Sequence, residues 1–261
     1  MFVQRVDNNR YFRPMLLALI VLAWALLVAW GESPYGRFLD HGEVGDVNLG
    51  LDGKSLGLMS LFVGGWTLMT FAVMLPTSLP LIDMFRRMTA KRDDAGRLLA
   101  LLIGGYILVW SAFGVAALFG DRVIHIAVEE SAWLEDNAWV IGGATITFAG
   151  LYQFTPLKYM CLDKCRSPMM FIAGHWSGRR QSASALRLGV DHGIFCVGCC
   201  WSLMLLMFVV GVGNVGWMLI LGAIMAVEKN MPWGKQLSAP LGASLALGGA
   251  VMLALGAGGL L

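Results

Sequence analysis

The chain has 261 residues, of which 57% are apolar, 14% are charged and 33 are glycine, whereas soluble domains are about 45–50% apolar and about 25% charged. That composition excludes a soluble globular domain, a disordered chain and a collagen-like one, and it leaves a polytopic membrane protein. A formal charge of +2 provides no basic excess to neutralise phosphates, so nucleic acid is not an expected partner.

Seven apolar segments follow one another at 14–30, 57–75, 97–119, 137–157, 185–211, 214–229 and 237–259. Most approach the roughly 20 residues that cross a hydrocarbon core of about 30 Å. The first and the sixth are the shortest. Backbone in lipid must satisfy its own hydrogen bonds, so each segment is expected to be a helix. The predicted fold is all-α: one transmembrane bundle of about seven spans over residues 1–261. The apolar run of the first segment exceeds a signal-peptide core of about 7–15 residues, and no clear cleavage site follows it. It reads as the first span.

Charge orients the bundle. With the N-terminus inside, the inner segments contain all of the 19 Lys and Arg except Arg37, Lys54 and Arg122. The positive-inside rule then predicts the N-terminus in and the C-terminus out. The outer loops at 31–56 and 121–136 are acidic, with Glu32, Asp40, Glu43, Asp46 and Asp52 in the first and Asp121, Glu129, Glu130, Glu135 and Asp136 in the second. Solvation of those loops is the simpler reading, and steering of cations is the other.

The phosphate-cradling pattern GxxxxGK[ST] is absent, and no nucleotide is expected. The segment whose residue types best suit chemistry is LRLGVDHGIFCVGCCWSLMLLM, 186–207. At 3.6 residues per turn His192, Cys196, Cys199, Cys200, Met204 and Met207 share one stripe of the fifth span. Trp201 and Asp191 fall off it. Thiolate and thioether donors select soft metals, Cu(I) above all, while imidazole suits Cu or Zn. Cu(I) with one or two thiolates and neutral donors carries little net charge, so it suits a low dielectric better than Zn(II). Buried cysteine is also an ordinary packing residue. Three Cys and one His within nine residues, in a chain with 5 Cys and 4 His, favour a metal site over packing.

One straight helix cannot surround an ion. Met69 and Met74 of the second span, and Asn214, Met218, Met225 and Glu228 on one stripe of the sixth, are candidates to complete the shell. Gly189 and Gly193 form GxxxG beside His192, which predicts a close helix neighbour. Cys161 and Cys165 would share a face if the fourth helix continues past the membrane surface, forming a second, exposed thiol pair for metal transfer. Reduced cytosolic thiols without that role are the alternative. Asp191 and Glu228 are intramembrane or boundary carboxylates that need partners, and Glu228 beside Lys229 reads as an interfacial pair.

The runs YQFTPLKYMCLDKCRSPM (152–169) and LRLGVDHGIFCVGCCWSLM (186–204), the Trp66-to-Pro76 segment and the Glu228–Lys229 pair resemble a bacterial family of uncharacterised, predicted metal-binding integral membrane proteins. The resemblance spans about 66–230. It departs at Val73, where the family tends to place a second methionine before Met74. The resemblance implies a multipass protein of the bacterial cytoplasmic membrane that binds metal, and brings no substrate or reaction with it.

The residues therefore point to a non-enzymatic protein that handles Cu(I), or less favourably Zn(II), at His192, Cys196, Cys199, Cys200 and Met204. Its expected partners are the lipid bilayer and a cuproprotein or metal chaperone. A thiol–disulfide relay through Cys196 and Cys199 is the alternative, followed by a structural subunit of a membrane complex. The relay needs an unwound fifth helix at Gly198, because Cβ atoms at i,i+3 stand about 5–6 Å apart and a disulfide needs about 3.8 Å.

Overall fold

The computed structural model describes residues 8–31, 53–176, 180–210 and 215–258. Among them every regular element is helical. In chain order these are α1 (Asn8–Gly31), α2 (Gly53–Met69), α3 (Leu79–Thr89), α4 (Ala95–Glu129), α5 (Ala132–Asp136), α6 (Trp139–Tyr152), α7 (Pro156–Arg166), α8 (Pro168–His175), α9 (Gln181–Val210), α10 (Val215–Asn230) and α11 (Ser238–Ala257). A π-helical turn, Thr70–Met74, and one α-helical turn, Leu75–Thr77, join α2 to α3. A 3-10 turn, Gly234–Leu237, leads into α11.

Each of the seven apolar segments contains a helix. Four stretches are long and apolar enough to cross a membrane: Met59–Thr77, Ala95–Glu129, Gln181–Met207 and Gly234–Ala257. Leu17–Gly31 and Trp139–Tyr152 are shorter apolar helices, and α10 has 16 residues, about 24 Å at 1.5 Å per residue. The acidic loop at 31–56 lies largely outside the described residues, as does Asn214.

The second apolar segment is not the plain helix expected. Pro76 has no N–H to offer the carbonyl of Ala72, four residues earlier. The indole of Trp24 on α1 donates to that carbonyl instead, at 3.1 Å, and the chain winds through the π-helical turn. Thr77 Oγ1 donates to Met74 O at 2.8 Å, and Tyr106 on α4 donates to the same oxygen at 3.3 Å. Such turns are common at functional sites, and this one carries Met74 into the core.

The long helices α4 and α9 pack against each other, with α11 against α6 and α7 against α9. The GxxxG expectation holds. A Cβ at Gly189 would collide with the Leu102 carbonyl, and one at Gly193 would come within 2.9 Å of Val109 Cβ. Only hydrogen at these positions lets the two backbones approach so closely.

The fourth apolar helix does not continue through to Cys161 and Cys165 as one rod. It ends at Tyr152, and α7 starts afresh after Thr155. There Thr155 Oγ1 accepts from the Lys158 N–H at 3.3 Å, and Pro156 occupies the first helical position, both start signals. The break turns α7 back against α9.

Two strings match enzyme-loop spacings, GKSLG at 53–57 and GVGNVG at 211–216. A serine elbow and a dinucleotide loop each require a preceding strand. Here the second follows a helix, α9, and the first opens α2, with the residues before it lying outside those described.

Candidate functional site

Helix α9 runs unbroken through Gly198, so Cys196, Cys199 and Cys200 keep their helical placement. All three are buried, as are Met69, Met74, Met204, Met207, Met218 and Met225 in the same core. The described residues hold no group of three or more His, Cys, Asp or Glu already arranged around a metal position. The convergence is of sulfur atoms and one ammonium. Cys200 Sγ lies 3.8 Å from Met74 Sδ. Lys229 Nζ, from the last turn of α10, lies 2.9 Å from Cys196 Sγ, 3.8 Å from Met74 Sδ and 3.1 Å from Thr77 Oγ1. Tyr106 Oη is 3.1 Å from Cys196 Sγ. Five elements thus meet at one point: α9, the π-helical turn, the α-helical turn that follows it, α4 and α10.

Lys229 was not among the candidate residues. Its signal lay in the helical wheel of α10, where it falls about 20° from Met218, on the face of Met218 and Met225. The interfacial Glu228–Lys229 pair expected from the sequence does not form: Glu228 pairs with Lys158. Successive residues on a helix point about 100° apart, which sends Lys229 into the sulfur cluster and Glu228 toward α7. Glu228 Oε1 is 2.7 Å from Lys158 Nζ and accepts from Ser238 Oγ at 2.6 Å. Lys158 also donates to Gln153 Oε1, and Gln153 Nε2 donates to Ser202 Oγ at 3.2 Å. Lys158, expected on the inner surface, is buried because α7 folds back. Gln153 and Ser238, equally unforeseen, complete that network.

His192 lies on the cysteine side of α9 but is held by other groups. Its Nε2 is 3.2 Å from Ser78 Oγ, and its ring lies between Tyr106 and Phe171, with centroids 5.5 Å from each. Its Nδ1 has no hydrogen-bond partner among the described residues. Asp191 points elsewhere, 3.6 Å from Arg187 one turn before it. Met204 shares the core with the thiols, without a polar contact to them among the described residues.

Cys161 and Cys165 are not an exposed pair, because α7, which carries them, folds back against α9. Cys161 is buried beside Gly198, where a Cβ would lie 2.6 Å from its Sγ. That burial raises the Cys161 thiol above its ordinary range. Cys165, half-buried, faces Cys199, with 3.9 Å between the two sulfurs.

Residues 63–252 match the PpoB2 family, described as copper chaperones. The chain belongs to that family. The matched stretch covers most of the chain and contains every residue of the sulfur cluster, Lys229 and the Lys158–Glu228 pair. No curated protein and no solved structure matches the chain. Copper handling thus rests on the family, and the site on the geometry above.

Proposed function

We propose that this copper chaperone family member is a multipass protein of the bacterial cytoplasmic membrane. It holds Cu(I) among Cys196, Cys200 and Met74 and passes it to a cuproprotein. The observation that carries this reading is the position of Lys229. An ammonium buried in a low dielectric needs a counter-charge, and the shortest of its three polar contacts is to Cys196 Sγ, at 2.9 Å.

The charges balance. Two thiolates carry −2, and one Cu(I) with one ammonium restores neutrality without further compensation. A divalent Zn(II) beside Lys229 would leave the same set positive. Two thiolates and a thioether also match the preference of Cu(I) for soft donors. In this reading His192 is a positioning residue. It stacks on Tyr106, which holds both Met74 through its carbonyl and Cys196 through its sulfur. Met204, Met69 and Met218 shape the surrounding apolar wall, with Met204 nearest in sequence to the thiols.

The relay reading loses its structural requirement. Cys199 Sγ donates to the Cys196 carbonyl at 3.1 Å, as in an intact helix, and Gly198 is not unwound. Nothing in the packing favours the structural-subunit reading over copper handling.

The test is anaerobic copper titration of the purified protein in detergent against a chromogenic Cu(I) chelator. The parent is expected to retain the ion, and Cys196→Ser with Cys200→Ser to yield it to the chelator. Retention by that double variant at parental affinity would place the ion elsewhere.

A further inference from the structure

Cys199 and Cys200 are neighbours in sequence but face different partners. Cys200 looks toward Met74 inside the bundle. Cys199 looks outward to Cys165 on α7, across 3.9 Å. We propose that Cys165 and Cys199 form a second, two-thiol Cu(I) site, through which the ion reaches the buried Cys196–Cys200–Met74 site. This rests on the copper reading above and names the route to that site.

Three observations build the site. First, α7 is pinned in place. Arg166, next to Cys165, donates to the carbonyls of Glu228, Met231 at 2.8 Å and Pro232 at 2.9 Å, and Lys235 Nζ binds Asp163 at 2.9 Å. These contacts tie α7 to the end of the helix that delivers Lys229. Second, Gly198 lets α7 come close enough for the two sulfurs to meet, with Cys161 filling the space a side chain would take. Cys161 is therefore the packing thiol and Cys165 the ligand, although both were candidates. Third, the site is reachable and its approach is soft. Cys165 is half-buried. The chain that follows α7 exposes Met169 and Met170, 71% and 75% accessible, and Met231, held by Arg166, is also exposed. Exposed thioethers four and five residues along the chain from a half-buried thiol offer weak, neutral ligands to an arriving Cu(I).

The transfer is a ligand exchange without oxidation. Cu(I) first bridges the thiolates of Cys165 and Cys199. A Cu–S bond to Cys200 forms as the bond to Cys165 breaks, and the proton of the Cys200 thiol passes to the departing Cys165 sulfur. A Cu–S bond to the Cys196 thiolate, held beside Lys229, then forms as the bond to Cys199 breaks; Cys199 regains from solvent one of the two protons that it and Cys165 released when Cu(I) bound, and copper remains monovalent throughout.

The experiment is stopped-flow loading of the full-length protein in lipid nanodiscs, under anaerobic conditions, from a Cu(I)–chelator complex. Final stoichiometry is measured alongside. Cys165→Ser is expected to load about tenfold to a hundredfold more slowly, the usual effect of losing a group that tunes a metal site, while still filling the buried site. Cys161→Ala is expected to load at the parental rate. A Cys196→Ser, Cys200→Ser protein is expected to bind one ion weakly, and to lose it when Cys165→Ser is added. Parental loading by Cys165→Ser overturns this inference and leaves the buried site standing. Absence of Cu(I) binding by the parent overturns both.

Discussion

Lys158 Nζ lies 2.7 Å from Glu228 Oε1, and 0% and 2% of the two side chains are exposed. The pair joins α7 to α10 across 70 residues of sequence. Its immediate neighbour Lys229 projects from the same helix end into the sulfur cluster. The ion pair therefore sets how deeply α10 places its ammonium among the thiols.

Breaking this pair from one side is expected to be costly. Glu228→Gln or Lys158→Met leaves a charge or polar group buried without its partner, an effect of about 3–5 kcal/mol for buried pairs. Thermal unfolding in detergent should show a large downward shift for each single variant. Lys158→Met combined with Glu228→Leu should recover much of it, because an apolar pair needs no compensation. A double variant as unstable as the singles would refute the pairing.

Lys229→Met is expected to weaken Cu(I) binding by about tenfold to a hundredfold, the range for groups that support a metal site. Without the ammonium, two thiolates and one Cu(I) keep a net negative charge in the core. Lys229→Arg should retain part of the affinity, since the charge remains while the head group is larger and planar. Competition with a Cu(I) chelator measures both. Undiminished affinity in Lys229→Met would remove the electrostatic argument.

Gly198→Ala tests the approach of α7. The added methyl would sit 2.6 Å from Cys161 Sγ, and overpacking of this kind costs about 1–3 kcal/mol. The variant should be less stable and load copper more slowly, despite the better helix propensity of alanine. Cys161→Ala in the same chain should relieve the clash and restore both properties. Failure of that rescue would show that the two residues do not touch.

The orientation is checked by labelling. In a Cys165→Ser background, Ser182→Cys should react with an impermeant reagent only in inside-out vesicles. Ser33→Cys, which lies outside the described residues, should react only in right-side-out cells. Labelling of both from the same side would end the seven-span topology.

The helices and the sulfur stripe were legible in the sequence because they depend on local order. Apolar runs specify helices where lipid or a dry core removes other hydrogen-bond partners, and the 3.6-residue period alone aligned Cys196, Cys199 and Cys200. The close packing of α4 on α9 was legible too, from the spacing of Gly189 and Gly193. Which atoms the thiols would meet was not legible. Met74 enters the cluster through a π-helical turn bounded by Pro76, and its carbonyl and sulfur are met from α4, α9 and α10.

Tertiary structure also decided the partners of the charges. Sequence placed Glu228 next to Lys229 and suggested a pair. Adjacent helical positions diverge by about 100°, so the two side chains entered different environments. Lys158 left the surface because Thr155 and Pro156 started a new helix that folded back. That fold turned Cys161 into a packing thiol and brought Cys165 to Cys199. Periodicity within one helix fixes which side chains share a face; which distant groups that face then meets depends on how the helices pack, and a buried charge takes whichever partner that packing brings to it.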